Sequence, residues 1–319
     1  MPHIGNDIAL AVRHLRAGRL VAFPTETVYG LGGDAANRNA VAEIYRLKDR
    51  PAGHPLIVHL PDFANADEWA QDISPPARRL ARRFMPGPLT LVLPRRRSAP
   101  FYAAGDDSIA LRVPMHKVAR KLLADFAGGI AAPSANGFGR LSPTRAAHVA
   151  EEFAAADLYV LNGGDCPVGI ESVIVDCREE SLFLLRPGAI AEAELSSVAG
   201  QQLLAPPPTV RAPGLLPRHY APLIPLLLVS SEVVSTTAGQ TAVLSRQKPA
   251  AVLAKFWRKA ADSPAQYAHE LYRLLRELEI TGADIIRVEM PPSKPPWQAV
   301  CDRLRRAATA QDIATNRLL

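Results

Sequence analysis

Along the first two thirds of the chain, segments with apolar residues at helical spacing alternate with short, unbroken apolar runs. Asp7 to Ala17 predicts an amphipathic helix closed by Gly18 in the C-cap position. Residues 39–48 predict a second, with Val41, Ile44, Tyr45 and Lys48 on one side, and further helices fit residues 75–84, 116–126 and 144–153. The apolar runs predict strands at Arg19–Phe23, Leu56–Leu60, Leu89–Leu93, Ile109–Val113 and Gly129–Pro133. Three closely spaced strands follow at Leu158–Leu161, Ser172–Asp176 and Leu182–Leu185. So many adjacent strands do not suit a strict βαβ repeat, and the expected class is α/β with a mixed, twisted sheet.

The pattern then breaks. From about residue 200 the chain reads QQLLAPPPTVRAPGLLPRHYAPLIP, a proline density that disfavours helix and central strand and predicts an extended connector. Beyond it, strands near 225–229 and 241–245, a helix from Ala265 to Glu279 ended by Gly282, the strand ADIIRVEM and the helix WQAVCDRLRRAA predict a small α/β unit of Rossmann-like, doubly wound type. The expected organisation is a larger α/β domain over 1–200, a proline-rich connector over 201–224 and a small α/β domain over 225–319.

Composition narrows the class. With 319 residues, 48% hydrophobic and 21% charged, the chain can bury two cores and is globular rather than disordered. Cys166, Cys177 and Cys301 are scattered, with no CxxC spacing, so neither a disulfide framework nor a zinc site is expected. No apolar run is long enough to cross a bilayer, and the N-terminus lacks the pattern of an export signal; a cytoplasmic location is expected. The net charge of +6 suits polyanions, a nucleotide or an RNA, but the arginines form no single block and solvated faces account for most of them.

Four segments carry candidate chemistry. PTETVYGLGGDA, residues 24–35, follows a strand and brings two Thr hydroxyls, a Tyr and glycines that allow close backbone approach to a ligand. Gly30, Gly32 and Ala35 match G-x-G-x-x-A, but the first Gly lies several residues past the strand end, where a dinucleotide fingerprint wants it at the turn. No G-x-x-x-x-G-K-[ST] exists in the chain, so side chains would have to neutralise phosphates. Lys48 and Arg50, flanking Asp49 before a proline turn, could do so; the plainer reading is a pair of cations complementing a helix C-terminus. His54 and His59 follow, without a third metal ligand nearby in sequence. APSANGFGRLSPT, residues 132–144, offers Ser134, Asn136, Ser142 and Thr144 on a loop after a strand, a ligand position or a plain turn. Ser134 is not set in a G-x-S-x-G elbow, so no hydrolase nucleophile is expected. Arg112, Glu171 with Ser172, and Arg186 each sit at the edge of an apolar strand.

Together and in this order, these segments resemble the YrdC-like threonylcarbamoyl-adenylate synthase family in its long, two-domain form. The resemblance rests on PTETVYGLG, KDRPAGHPLIVH, MPGPLTLVL, APSAN with SPT, ESVIVD and LRPG, and for the long form on PG…RHYAP, YAHELYRLLRELE and VCDRLRRAA. It implies an enzyme joining L-threonine, bicarbonate and ATP into threonylcarbamoyl-AMP and pyrophosphate, for threonylcarbamoyladenosine modification of tRNA. It implies no covalent nucleophile, and no metal held by the protein, with Mg2+ arriving on the ATP phosphates. Thr25, Thr27, His59, Arg112, Ser134 and Ser172 would meet threonine and its carbamate. Lys48, Arg50, His54, Ser108, Asn136, Ser142, Arg186, His219 and Tyr220 would meet ATP, the last two from a connector folded back as a lid. Tyr29 would wall the pocket or pack in the core. Expected partners are the downstream proteins that transfer the group to tRNA, with tRNA or double-stranded RNA contact compatible with the basic charge, and no membrane.

Departures from the family pattern are Val173 where a Thr is usual, Leu215-Leu216-Pro217 in the connector, and a short stretch around 246–263. Two other readings share the fold. One is an RNA-binding or ribosome-associated protein without the reaction, which would have no use for a Ser-x-Asn loop facing Lys-x-Arg. The other is carbamoyl transfer as in hydrogenase maturation, which normally comes with zinc-finger and acylphosphatase-like segments that this chain lacks.

Overall fold

The computed structural model describes residues 1–51, 54–100, 107–207, 219–235, 238–248 and 253–308. Within these, residues 1–138 and 143–207 group into one unit, and residues 139–142 and 219–308 into a second.

In the first unit the chain runs through β1 (His3–Gly5), α1 (Ile8–Arg16), β2 (Val21–Phe23), β3 (Gly30–Asp34), α2 (Arg38–Leu47), β4 (Ile57–His59), α3 (Pro75–Phe84), β5 (Leu89–Pro94) and β6 (Ser108–Arg112). It continues through α4 (Lys117–Phe126), β7 (Ile130–Ala131), α5 (Ala146–Glu152), β8 (Tyr159–Leu161), β9 (Val173–Asp176), β10 (Leu182–Arg186), α6 (Glu192–Ala199) and β11 (Leu203–Leu204). The strands form one sheet of mixed direction in the order β1-β8-β2-β3-β7-β4-β6-β5-β9-β10-β11, as the strand-rich pattern requires. Because β11 pairs with β10, the unit continues past residue 200.

Local chemistry explains the helix starts. Asp7 accepts a hydrogen bond from the Leu10 amide, Asn37 from Asn39 and Ala40, and Ser74 from Ala77 with Pro75 in the first turn. The strands read as unbroken apolar runs because the sheet is covered on both faces. In β2, Ala22 packs into one apolar cluster with Leu31, Val58 and Leu91, whereas Val21 and Phe23 pack into another with Leu15, Leu122 and Ile130.

The glycine-rich GLGGD becomes strand β3, antiparallel to β2, where the sequence suggested a ligand loop. A Cβ on Gly32 would lie 2.7 Å from the Phe23 ring and 2.8 Å from Ile130 Cγ2. Glycine is there to let two large core side chains close over the strand, and the loop proper shrinks to residues 24–29.

The second unit contains β12 (Leu226–Val229), α7 (Ser231–Ser235), β13 (Ala238–Ser245), β14 (Leu253–Lys259), α8 (Pro264–Glu279), β15 (Ile285–Glu289) and α9 (Gln298–Ala307). Its sheet is parallel throughout, in the order β12-β15-β13-β14, an arrangement compatible with a doubly wound fold. Arg303, fully buried, lies 5.1 Å from the centre of the Tyr220 ring and pairs with Asp302. Residues 139–142 are held in this unit by Arg276, which donates to the Leu141 carbonyl at 2.5 Å, and by Arg140 bonded to Glu279 at 3.3 Å.

Candidate functional site

The loop between β2 and β3 is organised by Thr25. Its hydroxyl donates to the Val28 carbonyl at 2.7 Å and accepts the Thr27 and Val28 amides, both at 3.2 Å, an ST-turn built inside the sequence PTETV. A 2.8 Å hydrogen bond joins the Thr25 and Thr27 hydroxyls. Both residues are buried, and Thr25 has no capacity left for a ligand.

Sheet register sets the next group in line. His59 ends β4 beside Arg112 at the end of β6, and the two are register partners. Ser172 immediately precedes β9, and Arg186 ends β10. Given the strand directions, all four occupy the same end of the sheet. Arg112 donates to the Thr27 hydroxyl at 2.9 Å and to Glu26 at 2.6 Å, and Glu26 also accepts the Met115 amide at 2.9 Å. The ion pair is nearly dry, with 5% and 2% of the two side chains exposed, a burial tolerable only because each charge is matched. Arg112 Nε reaches the Gly87 carbonyl at 3.4 Å, and one N–H on each terminal nitrogen is uncommitted among the described residues. His59 is pushed down to about 3 by burial and by the neighbouring Arg112 charge, so its imidazole is neutral at physiological pH. Ser172 meets Thr90 at 2.8 Å and accepts from Arg186 through its hydroxyl at 3.2 Å and its carbonyl at 3.0 Å.

Lys48 is not a solvated charge at a helix end. It caps the C-terminus of α2, but its side chain turns inward, 2% exposed, and Nζ donates to the carbonyls of Ser134 (2.6 Å) and Asn136. The Lys48 carbonyl in turn accepts the Phe138 amide at 2.8 Å. Burial, with the Arg50 charge adding to it, holds the Lys48 ammonium well below the ordinary lysine range, while Glu152 opposes the shift. Arg50 donates to the Pro55 carbonyl at 3.0 Å and lies 5.7 Å from the centre of the Phe138 ring, and the His54 ring meets Phe138 edge-on with 5.3 Å between ring centres. Two residues distant in sequence from the Ser-x-Asn loop thus converge on it. Ser134 is further tied to the Thr25 loop, since it bridges to Gly30 and the next amide, that of Ala135, donates to the Tyr29 carbonyl.

Ser108, expected with ATP, stands apart from this group. Ser108 begins β6, four residues and about 13 Å along the strand from Arg112, at the opposite end of the sheet. Ser142 is buried among residues 139–142, and His219 and Tyr220 pack in the second unit, their rings 4.1 Å apart and Tyr220 near Tyr272. Leu215, Leu216 and Pro217 lie outside the described residues. Tyr29 is a core residue whose hydroxyl donates to the Gly164 carbonyl at 2.8 Å. Sequence reasoning passed over four participants: Glu26 and Thr90, which sit inside the quoted motifs; Phe138, within APSANGFG; and Glu152, which accepts the Gly137 amide at 3.0 Å and has no local signal at all. Among the described residues no three His, Cys, Asp or Glu side chains gather as a metal site.

Comparison with known proteins supplies what geometry does not. The family model described as "Telomere recombination" matches residues 13–188, and that described as "Threonylcarbamoyl-AMP synthase, C-terminal domain" matches residues 189–309. The chain is 38% identical to the threonylcarbamoyl-AMP synthase of Pyrococcus abyssi, with 94% of each chain covered. This chain belongs to the threonylcarbamoyl-AMP synthase family. It is also 35% identical to the Bacillus subtilis threonylcarbamoyl-AMP synthase, over 96% of this chain and 94% of that one. Among solved structures, P. abyssi Sua5 complexed with L-threonine matches with a TM-score of 0.88 at 35% identity, covering 97% of both chains. Coverage on this scale makes the chain a member of the long, two-domain form of the threonylcarbamoyl-AMP synthase family.

Proposed function

We propose that the protein joins L-threonine, bicarbonate and ATP into threonylcarbamoyl-AMP, releasing pyrophosphate. The observation that carries this reading is the inward Lys48, locked to the Ser134 and Asn136 carbonyls, in a chain similar over its length to synthases of that reaction. Protonated bicarbonate loses water to give carbon dioxide; threonine's amine adds to that carbon and gives up a proton, forming a carbamate; a carbamate oxygen then attacks the α-phosphorus of ATP, and the bond to pyrophosphate breaks as pyrophosphate leaves. Such a step needs positioning and charge neutralisation rather than a nucleophilic side chain.

Arg112 has two N–H groups to offer the amino acid carboxylate as a fork, with Thr27, neutral His59, Ser134 and Ser172 beside the threonine and its carbamate. Arg50, His54, Lys48, Asn136 and Arg186 serve the ATP. Lys48 keeps a third donor direction beyond its two carbonyl bonds. ATP would arrive as its magnesium complex, the metal held by phosphates, with no step assigned to a protein-bound ion. The activated product suits downstream proteins that transfer the threonylcarbamoyl group to tRNA. No helix among the described residues is long and apolar enough to cross a membrane.

Pyrophosphate release measured with ATP tests the reading. Release is expected to require both threonine and bicarbonate and to fall at least about a hundredfold in Arg50→Ala or Asn136→Ala, the scale of losing one preorganised contact to the reacting phosphates. Release indifferent to threonine would refute it.

A further inference from the structure

The peptide group between Asn136 and Gly137 lies between two side chains of opposite charge. At one end its carbonyl, that of Asn136, accepts from the Lys48 ammonium. At the other its N–H, that of Gly137, donates to Glu152 Oε1 at 3.0 Å. Hydrogen bonds to ionised groups of this kind are about twice as strong as neutral ones. The carbonyl and N–H of a peptide point in opposite directions, so its dipole is aligned favourably between ammonium and carboxylate. Glycine accepts either sign of φ, which makes this the peptide of the loop with the greatest freedom to turn over. Turned over, it would set carbonyl against carboxylate and N–H against ammonium, two repulsions in place of two attractions. The Asn136 side chain follows the backbone, since its Nδ2 donates to the Gly137 carbonyl at 2.8 Å.

Helix stability does not account for the carboxylate. Glu152 is the last residue of α5, where the negative end of the helix dipole favours a cation. Its charge also opposes the fall in the Lys48 pKa that burial and Arg50 produce. Half-buried, it lines a cavity with Leu47, Phe153 and Leu158, so a shorter side chain there would widen existing space rather than open a void in the core. We infer that Glu152 is a positioning residue for ATP: by holding the N–H end of the peptide whose carbonyl Lys48 holds, it fixes the aim of Asn136. It acts through that peptide and not on the nucleotide itself. The inference rests on the proposed function in placing ATP at Asn136.

The test compares full-length wild type, Glu152→Gln and Glu152→Ala by calorimetric binding of magnesium ATP and, separately, of L-threonine. Amide hydrogen exchange at Gly137 is followed by NMR, and thermal melts monitor folding. Glu152→Ala removes the acceptor; the expected result is about a tenfold weaker ATP Kd, faster exchange at Gly137 and an unchanged threonine Kd. Glu152→Gln keeps an acceptor oxygen without the charge and is expected to weaken ATP about threefold. A folded Glu152→Ala with the wild-type ATP Kd overturns the inference, and so does an equal loss for ATP and threonine. Weaker ATP binding with unchanged Gly137 exchange would mean that Glu152 acts by charge alone, which also overturns it. Should Glu152→Ala fail to fold, Glu152→Gln decides, and a wild-type ATP Kd there refutes the clamp. A wild type that binds ATP but releases no threonine-dependent pyrophosphate contradicts the proposed function and leaves the ATP comparison decisive for Glu152.

Discussion

At the scale of single residues, His59 carries a proton-linkage signature. Its folded pKa, about 3, lies below the ordinary 6.5 of an exposed histidine. Above pH 6.5 both states are neutral and the fold has its full stability; as pH falls, the unfolded chain takes up a proton that the folded one refuses. Stability is therefore expected to drop by about 1.4 kcal/mol per pH unit between 6.5 and 3 from this group alone. Urea unfolding at a series of pH values checks it: His59→Gln should flatten the slope by one proton over that interval, and an unchanged slope would mean that the folded imidazole is charged. The candidate site was legible in sequence as residue types, less so as partnerships. Arg112 and Lys48 stand out in IALRVP and RLKDRP, but the charges that balance them, Glu26 and Glu152, are 86 and 104 residues away in the chain, and only the sheet brings them near. Thr25 shows the opposite limit. Its motif placed it with the substrate, whereas local hydrogen bonds exhaust its hydroxyl, a fact that pattern alone does not contain.

At the scale of elements, apolar periodicity identified most helices and strands of the first unit, because covered strands and capped amphipathic helices leave strong marks, but it passed over α6, whose start carries no side-chain cap. It failed at β3. Glycine is a poor strand former in isolation, and GLGGD reads as a loop until Phe23 and Ile130 are known to need the space. Gly32→Ala is accordingly expected to cost about 1–3 kcal/mol by overpacking, measured by chemical denaturation, with the ATP dependence of pyrophosphate release unaltered. A variant of wild-type stability with weakened ATP use would restore the ligand-loop reading. The short strands β1 and β11, two or three residues each, were invisible for a different reason: their identity comes from the neighbours they pair with.

At the scale of the molecule, all eleven strands of the first sheet precede residue 205. A chain ending at residue 207 is therefore expected to melt cooperatively, which differential scanning calorimetry would show; a broad, non-cooperative trace would mean that the two units fold only together. Yet the division is not a simple cut. Residues 139–142, only three positions after Asn136, belong to the second unit, where Arg276 and Glu279 of α8 grip them. The polypeptide consequently passes from one unit to the other three times rather than once, like a seam sewn with a back-stitch. Any cut in the connector would therefore strand these four positions, which belong with the second unit, on the fragment that carries the first.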